Sequence, residues 1–170
     1  TEISGRNRVW RKLVSDSIRT DPEWMNGDYK TQPRGLRIAV EMLFLVSSNS
    51  VLRQKEGPTL KEADEMLEKN IAARLKVTDA NDLLYAVESS WDYNPGIGLE
   101  KIKAPLFAVN FADDLINPPE LGILEKEIKR VPKGTAVVMP LTPDTIGHGT
   151  HTKAVVWKHH LEKLLKDSAR

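Results

Sequence analysis

The stretch Ala104-Pro105-Leu106-Phe107-Ala108-Val109-Asn110-Phe111-Ala112-Asp113-Asp114 decides how this chain folds. A short apolar run bounded by proline and aspartate reads as a buried parallel strand over 105–111. Thr135 to Pro140 repeats the pattern and predicts a second strand. Between them, Pro119 to Lys129 carries Leu121, Leu124 and Ile128 at helical spacing, and Pro132-Lys133-Gly134 makes the turn. A loop with Gly147-His148-Gly149 follows. Thr152 to Leu165 then predicts a closing helix through Val155, Val156, Leu161 and Leu164 or Leu165. Strand, helix, strand, loop, helix is the end of a doubly wound α/β sheet. Two strands make a poor sheet, because a parallel strand needs neighbours on both edges and cover on both faces. The expectation is therefore a piece of a larger α/β fold, with a small self-contained α+β domain as the alternative. A start at Thr1 rather than at methionine points the same way.

Moving towards the amino terminus, the character changes near residue 100. Arg6 to Thr20 places Val9, Trp10, Leu13, Val14 and Ile18 at helical spacing, and Asp21-Pro22 ends that helix. Trp24 to Pro33 reads as a loop turning at Asn26-Gly27-Asp28. Gly35 to Ser47 predicts a helix with Leu36, Ala39, Val40, Leu43 and Phe44 on one face. Thr59-Leu60-Lys61-Glu62 is a capping box opening a third helix through Ala63, Met66, Leu67 and Ile71. Asp79 or Asn81 caps a fourth, through Leu83, Leu84 and Val87, which ends before Asn94-Pro95-Gly96. The division is a helical region over 1–99 and an α/β region over 100–170.

With a formal net charge of +1, the chain offers no electrostatic case for binding nucleic acid or an anionic membrane. Without cysteine there are no disulfides, no thiolate nucleophile and no Cys-ligated metal. The richest apolar run, Ile38 to Val46, is interrupted by Glu41 and too short to span a bilayer. Neither partner class is expected. The location stays open, with a soluble, cytoplasmic setting preferred to a secreted one.

Asp113 and His148 each follow a predicted parallel strand, where open α/β sheets place their active sites. A carboxylate followed by a histidine 148 − 113 = 35 positions later suits the acid and base of a serine hydrolase. A serine hydroxyl needs an imidazole to take its proton, and the imidazole needs a carboxylate to fix its tautomer. Asp113 is preferred to Asp114 because hydrolases show aspartate, one variable residue and an apolar pair at this turn, which Asp113-Asp114-Leu115-Ile116 supplies. The bland reading of either aspartate is helix capping, for which Asn117 is better placed. His151 is the runner-up to His148, His159 and His160 look solvated, and a metal held by His148, His151 and Asp113 is the outside alternative. No Gly-x-Ser-x-Gly elbow occurs in the chain, so a nucleophile must lie elsewhere. Thr1 acting as an N-terminal nucleophile is a further alternative.

The run Ser17-Ile18-Arg19-Thr20-Asp21-Pro22-Glu23-Trp24, with Gly27-Asp28-Tyr29 and Gly35-Leu36-Arg37, resembles the helical lid of the homoserine O-acetyltransferase-like branch of the α/β-hydrolases. Lys101 to Leu106, Asp113 to Glu120 and Gly147-His148 resemble that branch's strand, acid loop and histidine loop. The resemblance implies the C-terminal portion of an α/β-hydrolase fold with a helical lid. It implies Asp113 and His148 as acid and base of an esterase or O-acyltransferase acting on a small ester or acyl substrate, with no cofactor or metal. Trp10, Trp24, Tyr29 and Phe44 become candidates for lining the acyl pocket, beside their plainer reading as lid core. The expected partner is an N-terminal chain of the same precursor carrying the serine, paired along the open edge of the 105–111 strand. Two positions depart from the branch: Ser15 stands where a carboxylate-gripping arginine is expected, and Gly149 where an aspartate follows the histidine. A site lacking those charges discriminates poorly for an amino acid, so an esterase or transfer to another alcohol stands beside homoserine acylation. A non-catalytic helical interaction module with a degenerate hydrolase tail is the remaining alternative.

Overall fold

A computed structural model describes residues 2–169 of the chain. It divides into two compact units, one made of Glu2–Val46 with Ser50–Tyr93, the other of Ser47–Asn49 with residues 94–169. The change of character read near residue 100 thus falls at Tyr93/Asn94, and three residues from the helical half of the sequence join the second unit.

The first unit is all helix: α1 (Gly5–Arg19), α2 (Gly35–Val46), α3 (Ser50–Glu56), α4 (Leu60–Leu75) and α5 (Ala80–Glu88). Ser4 starts α1 by accepting a hydrogen bond from the Asn7 N–H at 3.2 Å. Trp10, Val14 and Ile18, four residues apart, form its buried stripe, while Val9 and Leu13 are 60% and 50% exposed. Those two sit roughly 100° round the helix from the stripe. The stripe packs against α2 and α5, joining Leu36, Ala39, Val40, Leu84 and Val87 in the core. Gly35 is required here, because a Cβ on it would lie 2.0 Å from the Ser17 carbonyl oxygen.

The segment read as a loop over 24–33 begins as a 3-10 helix, Pro22–Gly27, in which Met25 and Asn26 take positive φ of 50° and 55°. Side chains hold this unusual path. The Trp24 indole N–H donates to Asn81 Oδ1 at 2.9 Å, and Asn81 Nδ2 donates to the Gly27 carbonyl at 3.0 Å. Asp21 accepts from the Glu23 and Gly35 N–H groups, tying the turn to the start of α2. The capping box opens α4: Thr59 Oγ1 accepts from the Glu62 N–H and donates to the Glu62 carboxylate. Asp79 caps α5 through the N–H groups of Asn81 and Asp82. Helix α3 escaped the sequence reading because Ser50–Glu56 holds a single apolar pair, too short for a periodicity.

In the second unit, β1 (Leu106–Phe111) and β2 (Gly134–Met139) pair in parallel, Leu106 opposite Gly134 and Phe111 opposite Met139. β1 is buried only at its carboxyl end, at Asn110 and Phe111, and Leu106 is 37% exposed. The expected full burial fails because a two-stranded ladder leaves each strand an open edge and covers little of either face. The helix read over 119–129 is broken. A 3-10 turn at Pro119–Leu121 meets Gly122, whose φ of +64° interrupts the helix before α6 (Ile123–Glu127). After β2, a 3-10 turn at Gly149–Thr152 leads into α7 (Ala154–Ser168), which packs on β1. No single helix among the described residues is long and apolar enough to cross a membrane.

Candidate active site

Asp113, Asp114 and His148 gather beyond the carboxyl ends of β1 and β2, where α/β sheets place their sites. After Phe111 the backbone turns sharply, with the Asp114 N–H bonded to the Phe111 carbonyl at 3.1 Å. The Asp114 side chain then closes a second turn, Oδ1 accepting from the N–H groups of Ile116 at 2.8 Å and Asn117 at 2.9 Å. Its other oxygen, Oδ2, meets His148 Nδ1 at 2.9 Å. Asp114 is 4% exposed and the His148 side chain 33% exposed. Burial pushes the Asp114 carboxyl up, but the hydrogen bond from His148, the Asn117 and Ile116 N–H groups and the imidazole's charge outweigh it and leave it below the usual value.

The geometry differs from the expectation that put Asp113 ahead of Asp114. The carboxylate brought to His148 is Asp114, whereas Asp113 accepts from Asn49 Nδ2 at 2.6 Å and from the Gly147 N–H at 2.9 Å. The turn aims adjacent residues in different directions, and the backbone N–H groups ahead of Asp114 pin its carboxylate on the side of the histidine loop. Neither aspartate acts as the N-cap of a regular helix; Pro118 stands at that place with no side-chain bond.

His148 itself lies on a loop held from within. Gly147 has a φ of +70°, and a Cβ on it would sit 2.6 Å from the Ser48 carbonyl carbon and 2.7 Å from its oxygen. The fully buried Thr150 hydroxyl donates to the Gly147 carbonyl at 2.7 Å and accepts from the Ile146 N–H at 2.8 Å. An ionised carboxylate only accepts hydrogen bonds, so Asp114 requires the proton on Nδ1 and leaves Nε2 with a lone pair. A group so arranged is able to take a proton from a hydroxyl placed beside Nε2 and to return it to a leaving group.

His151 is occupied otherwise. Its Nδ1–H donates to the His148 carbonyl at 2.6 Å, and the two rings lie 5.1 Å apart. Among the described residues, no three His, Asp or Glu side chains are grouped as a metal site requires. His160, read as solvated, stacks on Phe107 with centroids 4.9 Å apart and reaches Met139 Sδ at 3.3 Å.

The four aromatic candidates all belong to the helical unit, and each is engaged there. Trp10 is buried with its indole N–H on Asn7 Oδ1 at 2.9 Å, and Trp24 bonds Asn81. The Tyr29 hydroxyl bonds the Asp79 carboxylate at 2.7 Å, and Arg53 stacks over Phe44 at 3.7 Å. The Asp-Pro-x-Trp and Gly-x-Tyr residues therefore build the helical unit. Ser15 is buried and donates to Glu88 at 2.5 Å, and Arg19 binds the same carboxylate through two nitrogens at 2.7 Å. Thr1 lies outside the described residues. Asn49 and Thr150 went unnoticed in the sequence: Asn49 stands 64 positions before its partner Asp113, and an isolated asparagine or threonine carries no local signal.

No protein-family model matches the sequence, and no curated protein matches it. Solved structures do. A homoserine O-acetyltransferase from Bacillus anthracis superposes with a TM-score of 0.80 at 18% identity, covering 96% of this chain and 50% of its own. Esterase E22 gives 0.83 at 20% identity, over 96% of this chain and 51% of its own. An acetylester hydrolase from Corynebacterium glutamicum gives 0.70 at 14% identity, over 96% and 50%. The chain thus spans about half the length of the solved structures it matches. Its fold is that of the C-terminal part of an α/β-hydrolase.

Proposed function

We propose that this chain supplies the acid and base of a serine-dependent esterase or O-acyltransferase, with His148 as the base, Asp114 as its acid, and the serine on polypeptide outside these residues. The observation that carries this reading is the 2.9 Å contact between His148 Nδ1 and the buried Asp114 carboxylate, at the carboxyl ends of two parallel strands. His148 Nε2 removes the serine proton as the oxygen attacks the ester carbonyl carbon. The tetrahedral intermediate then collapses, and His148 protonates the departing alcohol or thiol. Water or a second alcohol, deprotonated in turn by His148, releases the acyl group. Backbone N–H groups near the serine stabilise the oxyanion.

Acceptors without an amino-acid carboxylate suit the chain best. Where a gripping arginine would serve homoserine, Ser15 is buried against Glu88, and Arg19 neutralises that carboxylate. A fluorophosphonate probe on the native preparation, with intact mass measurement, tests the reading. The expected result is labelling of a serine on a second polypeptide that travels with this chain, abolished by His148→Ala. An unlabelled monomer of 19.1 kDa refutes it.

A further inference from the structure

Two adjacent aspartates meet the histidine loop in different ways. Asp114 takes the imidazole, and Asp113 takes the backbone one residue earlier. Asp113 Oδ2 accepts from the Gly147 N–H at 2.9 Å and from Asn49 Nδ2 at 2.6 Å, and Asn49 Nδ2 also reaches the Thr145 carbonyl at 3.3 Å. Thr150 holds the Gly147 carbonyl at 2.7 Å. The peptide planes on either side of Gly147 are thereby fixed, one through its N–H and the other through its C=O. Gly147 sits at φ +70°, pressed against Ser48, in a conformation that a side chain would strain. Asp113 is buried, and its Oδ1 has no hydrogen-bond partner among the described residues.

We propose that Asp113 is a positioning residue, whose carboxylate oxygen clamps the Gly147 N–H and Asn49 so that the His148 backbone enters the site in the one orientation from which Nδ1 reaches Asp114. The proposal rests on reading His148 as the base. Its requirement is an acceptor at the Oδ2 position and not a charge. An asparagine meets that requirement, with its carbonyl towards the two donors and its amide nitrogen in the place of the unpartnered Oδ1. A misplacement of about 1 Å in a catalytic group costs on the order of a hundredfold in rate, which is the scale on which such a clamp matters.

The test measures amide exchange at Gly147 and the imidazole 15N shifts of His148 in the intact protein. Asp113→Ala is expected to speed Gly147 exchange roughly ten- to a hundredfold, the loss of one charge-assisted hydrogen bond, and to remove the fixed Nδ1–H tautomer of His148. Asp113→Asn restores both. Unchanged Gly147 exchange in Asp113→Ala overturns the clamp. Loss of the tautomer in Asp113→Asn overturns it too, because the charge of Asp113 would then be what holds the imidazole. If Asp113→Ala does not fold, the tautomer in Asp113→Asn decides alone. Failure of the esterase reading shows instead in the fluorophosphonate experiment, which uses none of these readouts.

Discussion

Replacing Asp114 by asparagine is the perturbation that most directly probes the pairing seen here. The side chain stays the same size, and its carbonyl still accepts from the Ile116 and Asn117 N–H groups, at 2.8 and 2.9 Å in the parent. The new amide nitrogen then faces His148 Nδ1, where the carboxylate oxygen stood at 2.9 Å. A donor there takes the Nδ1 lone pair and drives the imidazole proton to Nε2, the atom that must accept the serine proton. The analogous asparagine in the serine-protease triad lowers turnover by about ten-thousandfold, or about 5 kcal/mol of transition-state stabilisation. The stability loss should be far smaller, about 1–3 kcal/mol for one charge-assisted hydrogen bond. Turnover of an activated ester by the serine-containing complex, beside denaturant unfolding, separates the two effects. Turnover of Asp114→Asn within about tenfold of the parent, with the collapse found in Asp113→Asn instead, would refute the reasoning and return the acid role to Asp113.

Two further outcomes follow from the same loops. Gly147→Ala places a Cβ against the Ser48 backbone at a positive φ, and is expected to lower stability by roughly 2–5 kcal/mol, read from the shift in denaturant midpoint. Asp114 is held below the ordinary carboxylate value, so its contribution to stability is present above an unfolded value of about 3.9 and is lost as pH falls through the lower folded value. Denaturant midpoints should therefore fall more steeply with pH across that window in the parent than in Asp114→Asn, which lacks this one titrating contribution.

Local rules made several elements legible. The α1 stripe, the Thr59 box, the Asp79 cap and both strands follow from spacing and capping chemistry that act within a few residues. The break at Gly122 and the left-handed Met25–Asn26 step were not legible. The first depends on a backbone dihedral, and the second on Trp24 and Asn81, which stand 57 positions apart.

The same division runs through the site. Read alone, the sequence determined that a carboxylate and a histidine follow two parallel strands and that no serine elbow accompanies them, because strand ends and motifs are written in contiguous residues. Which aspartate meets the histidine was decided by tertiary structure alone. Asp113 and Asp114 have the same side chain and neighbouring positions. Only the turn after Phe111 sends one carboxylate to His148 and the other to Asn49 and Gly147. Partners brought together from 34 and 64 positions away exist only once the chain has folded.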